Sequence, residues 1–149
     1  MVLVSPEIPP NTGSIARLCA ATGVRLHLVR PLGFSLDDRY LRRAGLDYWP
    51  FVDVRVHDDW AAFVGAEQPA RVHCFSARAR RSYLEVAYAH GDYLLFGAET
   101  TGLPAFLLEA YRAHTYVIPI RSRHVRSLNL SNAVSIVVYE ALRQCGWTA

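Results

Sequence analysis

Residues 92–104 read DYLLFGAETTGLP and carry the clearest fold signal in the chain. Residues 92–96 form a near-continuous apolar run, which is typical of a strand in the middle of a parallel sheet. A turn with two glycines follows, and Pro104 stands where the first residue of a helix is expected. A strand, a turn and a helix in this order predict one repeating unit of an α/β sheet.

Strand and helix signals continue to alternate on both sides of this unit. Capping residues and helical spacing predict a helix that starts at Asn11 or Thr12 and ends at Gly23, and a last helix that starts at Ser131 or Asn132. The fold class is therefore α/β, with a mostly parallel sheet flanked by helices and right-handed crossovers. Other predicted strands lie at residues 1–4, 24–29, 51–56, 72–75 and 116–120, residues 83–89 are ambiguous, and other helices are predicted at 35–44, 58–64 and 104–111.

The size and composition of the chain favour a single domain over residues 1–149. Of the 149 residues, 52% are apolar and 19% are charged, which is enough apolar material for a packed core. No apolar run approaches the roughly 20 residues that span a bilayer, and no secretory signal is visible at the N-terminus. We therefore expect a cytoplasmic protein with no membrane partner.

The chain contains 16 Arg residues and no Lys, and its net charge is +3. The absence of Lys excludes Schiff-base enzymes, Walker-A phosphate loops and protein kinases, which need an ammonium group. Arg instead favours bidentate contacts with phosphates and stacking on bases. No C-x-x-C pair and no metal-ligand spacing of His occurs, so we expect no metal and three buried thiols, at Cys19, Cys74 and Cys145.

Three unusual loops follow predicted strands, at residues 5–13, 97–104 and 118–133. Ligands bind beyond the carboxyl ends of the strands in folds of this class. The three Asn residues of the chain, Asn11, Asn129 and Asn132, all fall in these loops. This clustering is a hint that the amide side chains contact a ligand.

These three loops, taken in order, resemble the three sequence motifs of one enzyme family. The segments are N-x-G-x-x-x-R at residues 11–17, FGAETTGLP at residues 96–104, and IP followed by SLNLSNA within residues 118–133. They are similar to the motifs of the SpoU/TrmH branch of the SPOUT RNA methyltransferases. PEIPPNTG at residues 6–13 and RRAGLDY at residues 42–48 narrow the resemblance to the small TrmL-type enzymes. Two departures are Ile120, where Met is usual, and the unusually basic residues 121–126.

The resemblance implies methyl transfer from S-adenosylmethionine to the ribose 2′-hydroxyl of the wobble nucleotide of tRNA, a cytidine or uridine at position 34. It also implies a deep trefoil knot near the C-terminus, in which the cofactor is bound without a metal. The implied assembly is a homodimer with a shared active site, so that Arg17 of one subunit faces the cofactor of the other.

Motif matching assigns three sets of site residues. The catalytic set is Arg17, Asn11, Glu99, Asn129 and Ser131, and the cofactor-binding set is Phe75, Gly97, Ile118 and Ser127. Arginines expected to contact tRNA phosphates include Arg42, Arg43, Arg78, Arg80, Arg81, Arg121, Arg123 and Arg126. Tyr48 or Trp49 is a candidate to stack on an unpaired base.

Two alternatives stay open. The first alternative is a related SpoU-type 2′-O-methyltransferase that modifies another tRNA or rRNA nucleotide. The second is a catalytically silent α/β RNA-binding factor. The joint presence of Arg17, Glu99 and Asn129 argues against the silent factor. A serine hydrolase is disfavoured because no G-x-S-x-G motif occurs.

Overall fold

A computed structural model of the chain describes residues 1–37, 39, 43 and 48–147. Its centre is a seven-stranded sheet in which every strand pair is parallel. The strands are β1 (Val2–Val4), β2 (Leu26–Val29), β3 (Val54–His57), β4 (Val72–Phe75), β5 (Arg81–Ser82), β6 (Tyr93–Phe96) and β7 (Thr115–Val117). Their order across the sheet is β3-β2-β1-β6-β4-β7-β5.

Helices cover both faces of the sheet, which confirms the predicted fold class. They are α1 (Pro9–Thr22), α2 (Trp60–Glu67), α3 (Ala105–Ala110) and α4 (Leu130–Gln144), and short 3₁₀ turns occur at Trp49–Phe51, Tyr83–Glu85 and Arg112–His114. Half of the predicted helix at residues 35–44, namely residues 38, 40–42 and 44, lies outside the described residues. None of the described helices is long and apolar enough to cross a membrane.

Two apolar clusters hold these layers together, one on each face of the sheet. Neighbouring residues of a strand point to opposite faces, so Leu3 joins one cluster while Val2 joins the other. On the first face Ile15 of α1 and Val134 of α4 are fully buried. The second cluster contains Phe63 of α2 and Leu107 of α3, both also fully buried.

Several predicted boundaries were wrong, and each error has a local cause. The first helix begins at Pro9 rather than at residue 11 or 12, because two prolines occupy its first turn, where the fixed φ of proline is favourable. Asn129, and neither Ser131 nor Asn132, caps the last helix. Pro104 is the cap of α3 rather than its first residue. The helix predicted from residue 58 begins at Trp60, because Asp59 caps it with a carboxylate that accepts from the Ala62 N–H at 2.7 Å.

Other predicted boundaries differ from the structure where short 3₁₀ turns or a very short strand occur. A 3₁₀ turn replaces the beginning of the strand predicted at residues 51–56. The ambiguous residues 83–89 begin with a second 3₁₀ turn, which Ser82 and Glu85 close with a capping box. The two-residue strand β5 just before it had no apolar run to reveal it.

The strand order brings the three predicted loops to one edge of the sheet. Strands β1 and β6 are neighbours, and β4 separates β6 from β7. Because all strands are parallel, the loops after β1, β6 and β7 leave the sheet at the same edge, together with the segment after β4. The trefoil knot that the resemblance implies stays a prediction.

A buried histidine pair lies on the second face of the sheet, on the neighbouring strands β2 and β3. The Nδ1 atom of His27 lies 3.0 Å from the Nε2 atom of His57, and both rings contact the edge of Phe63. Together with Glu67 they form a group whose donor atoms lie within 4.8 Å of one another. The Glu67 carboxylate, however, already accepts from Arg55 at 2.9 Å and from the Tyr93 hydroxyl at 3.1 Å. The absence of a metal stays a prediction.

Burial lowers the pKa of His27 from about 6.5 to about 4, so acid should destabilise the fold. Below pH 6.5 the unfolded chain takes up a proton that folded His27 does not accept until the pH nears 4. We expect this group to reduce the free energy of unfolding by about 2 kcal/mol between pH 7 and pH 5. His27→Asn removes the titrating ring, so its free energy of unfolding should change less between pH 7 and pH 5. Denaturant titrations at the two pH values measure this change. An equal change in the free energy of unfolding between pH 7 and pH 5 for the two proteins would contradict the assignment to His27.

Candidate active site

Residues from all three loops meet around one cavity at the carboxyl edge of the sheet. The cavity has a volume of about 720 Å³, within the usual range of small-molecule sites. We call it the loop cavity. It is lined by Ile8, Asn11, Phe75, Ser76, Ala77, Arg78, Phe96, Gly97, Ala98, Glu99, Thr100, Thr101, Gly102, Ile118, Ile120, Arg126, Ser127, Leu128, Asn129, Leu130 and Ala133.

The Glu99 carboxylate ties the second loop to the first. Its Oε2 atom accepts from the backbone N–H of Glu7 at 2.7 Å, and Oε1 accepts from the backbone N–H of Ile8 at 3.1 Å. The Asn11 Nδ2 group donates to the same Oε1 atom at 3.1 Å. One carboxylate therefore satisfies two backbone donors beside the start of α1 and fixes the amide of Asn11.

Asn11 and Asn129 extend this arrangement to the third loop. The Asn11 Oδ1 atom accepts from Asn129 Nδ2 at 3.0 Å. The Oδ1 atom of Asn129 in turn accepts from the backbone N–H groups of Ser131 and Asn132, which caps α4. A continuous chain of hydrogen bonds thus runs from Glu99 through Asn11 and Asn129 to the last helix.

A reciprocal contact supports the junction of the first two loops. Glu7 accepts from the backbone N–H of Thr100 at 3.1 Å and from its hydroxyl at 2.7 Å. Glu7 and Glu99 therefore each reach across to the other loop, and the pair sets the distance between the loops.

The four predicted cofactor-binding residues, Phe75, Gly97, Ile118 and Ser127, all line the loop cavity. Phe75 stacks on Phe96 with ring centroids 4.8 Å apart, which gives the cavity a flat apolar wall. Gly97 allows a close backbone approach, because a Cβ atom there would lie 2.1 Å from the carbonyl carbon of Gly102. The second loop closes on itself through the Gly102 N–H, which donates to the Ala98 carbonyl at 2.8 Å.

The predicted catalytic residues divide into two groups. Asn11, Glu99 and Asn129 lie in the cavity wall. Ser131 does not line the cavity, and its hydroxyl donates to Asn129 Oδ1 at 2.6 Å. Arg17 also lies outside the wall and is exposed, about two turns from the start of α1.

The predicted RNA-contacting arginines are likewise only partly at the cavity. Arg126 lines the cavity, whereas Arg121 and Arg123 are exposed and do not. Arg43 is exposed, and Arg42 lies outside the described residues. Arg81 is engaged by Glu85 and by the Tyr116 ring, which makes it less available to RNA.

Sequence reasoning assigned Arg78 to tRNA alone and gave no role to its neighbours Ser76 and Ala77, yet all three line the cavity. They follow β4 and leave the sheet at the same edge as the three loops, so the strand prediction at residues 72–75 already held the signal. Arg78 and Arg126 form no ion pair with any residue that the structure describes, so both keep their guanidinium groups available for an anion.

The cysteines offer no nucleophile to this site. Cys19 and Cys74 are buried as predicted, and burial raises their thiol pKa values to about 11 and about 12. Cys145 is only half-buried, contrary to the prediction, because it lies just after the end of α4. None of the three cysteines is part of the wall of the loop cavity. The chemistry of the cavity therefore depends on carboxylate, amide, hydroxyl and guanidinium groups.

Known proteins match this chain over nearly its full length. The model of the SpoU rRNA Methylase family matches residues 1–139. A tRNA (cytidine(34)-2'-O)-methyltransferase from Burkholderia ambifaria is 53% identical over 150 residues, which cover 99% of this chain and 96% of that protein.

Solved structures agree with this match. One, from work on the 2-OH methylation of C/U34 on tRNA, is 54% identical and superposes with a TM-score of 0.90 over 96% of this chain and 93% of that chain. An AdoMet-bound rRNA methyltransferase from Sinorhizobium meliloti is 25% identical, with a TM-score of 0.83 over 95% of this chain and 54% of that chain.

The close approach at Gly97 predicts a specific defect. Gly97→Ala forces the backbone of Gly102 and Leu103 away and should reduce the free energy of unfolding by about 1–3 kcal/mol. Gly65→Ala is the matched control, because Gly65 is at an exposed position of α2 and a Cβ there meets nothing within 4 Å; the substitution should stabilise by about 0.5–1 kcal/mol. Denaturant titrations measure both, and an unaltered Gly97→Ala protein would contradict the geometry.

Proposed function

Since the chain belongs to the SpoU methylase family, we propose that it transfers the methyl group of S-adenosylmethionine to the ribose 2′-oxygen of nucleotide 34 of tRNA, a cytidine or uridine. All 149 residues act as one methyltransferase domain. The observation that carries the proposal is the chain of hydrogen bonds from Glu99 to Asn129, which joins the three family motifs around one cavity. The relative that is 53% identical is a tRNA (cytidine(34)-2'-O)-methyltransferase, which supports the choice of nucleotide.

The loop cavity fits the cofactor. Its volume and its apolar wall of Phe75 and Phe96 suit a nucleoside. Gly97 leaves room for close backbone contacts, and Ile118 and Ser127 complete the set that would hold the cofactor. When bound, S-adenosylmethionine supplies an electrophilic methyl group on a sulfonium.

The chain's own task is to align the ribose hydroxyl with that methyl group. Arg17 is suited to clamp the adjacent phosphate through two parallel N–H donors and to stabilise negative charge that develops on the 2′-oxygen. It is not suited to act as the base, because a guanidinium keeps its proton in proteins. The proton passes to a phosphate oxygen or to water.

The position of Arg17 supports a homodimer with a shared active site. Arg17 is exposed and absent from the wall of its own subunit's cavity, which leaves it available to reach the cavity of a second copy. The last helix, with Val134, Val137 and Tyr139, is a candidate for the dimer face, and the internal core is the alternative place for these residues. Val134 and Val137 instead belong to the internal core, whereas Tyr139 is 49% exposed and Ile136 is 37% exposed. These two residues are the available apolar contacts of that helix.

Exposed arginines around the cavity form the proposed tRNA footprint. Arg121, Arg123 and Arg126 lie on the third loop, and none forms an ion pair with a described residue. Unpaired guanidinium groups are free to neutralise phosphates and release counterions. We propose that Arg42 and Arg43 also contact tRNA phosphates. A tRNA substrate also implies that the protein works in the cytoplasm.

Incubation with labelled S-adenosylmethionine and bulk tRNA, followed by mapping of the methylated ribose, tests the proposal. We expect label at the 2′-oxygen of nucleotide 34. Label at another tRNA nucleotide or only in rRNA would favour the related SpoU-type enzyme. Binding of tRNA without cofactor binding would favour the silent RNA-binding factor, and either outcome contradicts the proposal.

Arg17→Ala should abolish methyl transfer, with a loss of at least about 100-fold in kcat, because the phosphate clamp is removed. Its affinity for S-adenosylmethionine should stay within about twofold of that of the original chain, since the proposed contact of Arg17 is with the tRNA phosphate, whereas the cavity wall that would hold the cofactor comes from other residues. Arg112→Ala is the matched control, because Arg112 is also exposed and outside the cavity. It should retain full turnover, and retained turnover in Arg17→Ala would refute the role.

A further inference from the structure

The Arg17 guanidinium does not extend freely into solvent but lies over an aromatic ring. Its Cζ atom is 4.6 Å from the centroid of the Tyr48 ring, well inside the distance at which a cation is attracted to a π face. Tyr48 is 40% exposed, so this contact lies on the surface where RNA can reach it. We propose that Tyr48 is a positioning residue that holds Arg17 ready for the phosphate of the substrate, an inference that rests on the proposed function.

The Tyr48 backbone is itself fixed. Its carbonyl accepts from the Phe51 N–H at 2.9 Å and so begins the 3₁₀ turn Trp49–Phe51. Trp49 and Val52, within and just after this turn, pack against the apolar cluster that also buries Ile15 of α1. The ring and the guanidinium are therefore carried by two elements that share one core.

The chemistry of an aromatic partner suits a phosphate clamp better than a carboxylate would. A carboxylate would use the parallel N–H donors of Arg17 and compete with the phosphate. A ring attracts the flat face of the guanidinium and leaves the N–H groups at its edge free. Arg17 has no acidic partner among the residues that the structure describes, so Tyr48 is the contact that restrains it there.

This contact also revises the expected base-stacking residues. Trp49 packs against the core and is only half-exposed. One face of Tyr48 is already covered by Arg17. We therefore assign Tyr48 to the orientation of Arg17 and not to stacking on an unpaired base.

The test compares methyl transfer to tRNA by the full chain, Tyr48→Leu and Tyr48→Phe. Removing the ring leaves Arg17 with more conformations, so Tyr48→Leu should lower kcat by roughly 5- to 30-fold. The KM for S-adenosylmethionine should not change. Tyr48→Phe keeps the ring and should stay within about twofold of the original kcat. Tyr48→Gln replaces the Leu variant if that variant unfolds in a thermal melt.

A second measurement reads the contact without catalysis. The side-chain Nε–H resonance of Arg17, identified by its loss in Arg17→Lys, should carry a ring-current shift in the original chain and in Tyr48→Phe. The shift should disappear in Tyr48→Leu.

An unchanged kcat in Tyr48→Leu, an unmoved resonance, or an equal loss in Tyr48→Phe would overturn the positioning role. A failure of the original chain to methylate tRNA would overturn the proposed function instead, and with it the catalytic part of this inference.

Discussion

The Glu99 carboxylate is the group on which the arrangement of the loop cavity depends. It accepts from two backbone N–H groups of the first loop and from the Asn11 side chain. An ionised carboxylate has room for several donors at once and forms stronger hydrogen bonds than a neutral acceptor does. Through Asn11 and Asn129 the same chain of bonds reaches the cap of the last helix. Segments that are 88 and 118 residues apart in the sequence are joined in this way.

The cavity that these bonds hold together and the proposed phosphate clamp Arg17 lie in different parts of the chain. The walls of the cavity come from rigid turns at the carboxyl edge of the sheet, and they require close backbone contact at Gly97. Arg17 stands on the exposed side of α1, where Tyr48 holds it outside its own cavity. In the proposed dimer, one subunit contributes the cofactor site and the other contributes the phosphate clamp. Such a division makes catalysis dependent on assembly, even though each cavity is complete in one chain.

Apolar patterning was sufficient to predict much of the fold. Strands β4 and β6 are buried among parallel neighbours, so their sequences are almost continuously apolar and their positions were predicted to within a residue. Helix ends were harder, because Asn129, Ser131 and Asn132 are all good caps and only the folded geometry selects one of them. The short strand β5 has too few residues to show a pattern.

The site was predictable only through its motifs. Position at strand ends indicated which loops would meet, but the donor and acceptor of each long-range bond depend on tertiary distances that spacing does not encode. The contact of Tyr48 with Arg17 is of the same kind, since the two residues lie in separate elements brought together by the core. Arg78 was assigned to tRNA alone, because no motif marks the segment after β4 as part of the cavity wall.

Calorimetric titration of S-adenosylmethionine into Glu99→Gln measures how far the loop cavity depends on this carboxylate. The amide replaces one acceptor oxygen by a donor, so one of the N–H groups of Glu7, Ile8 or Asn11 loses its partner and the loops move apart. We expect a loss of affinity of roughly 5- to 150-fold, from about 1–3 kcal/mol for an unsatisfied donor. Glu109→Gln, on an exposed position of α3, should bind as the original chain does. Unchanged affinity in Glu99→Gln would show that the cavity does not depend on the Glu99 carboxylate.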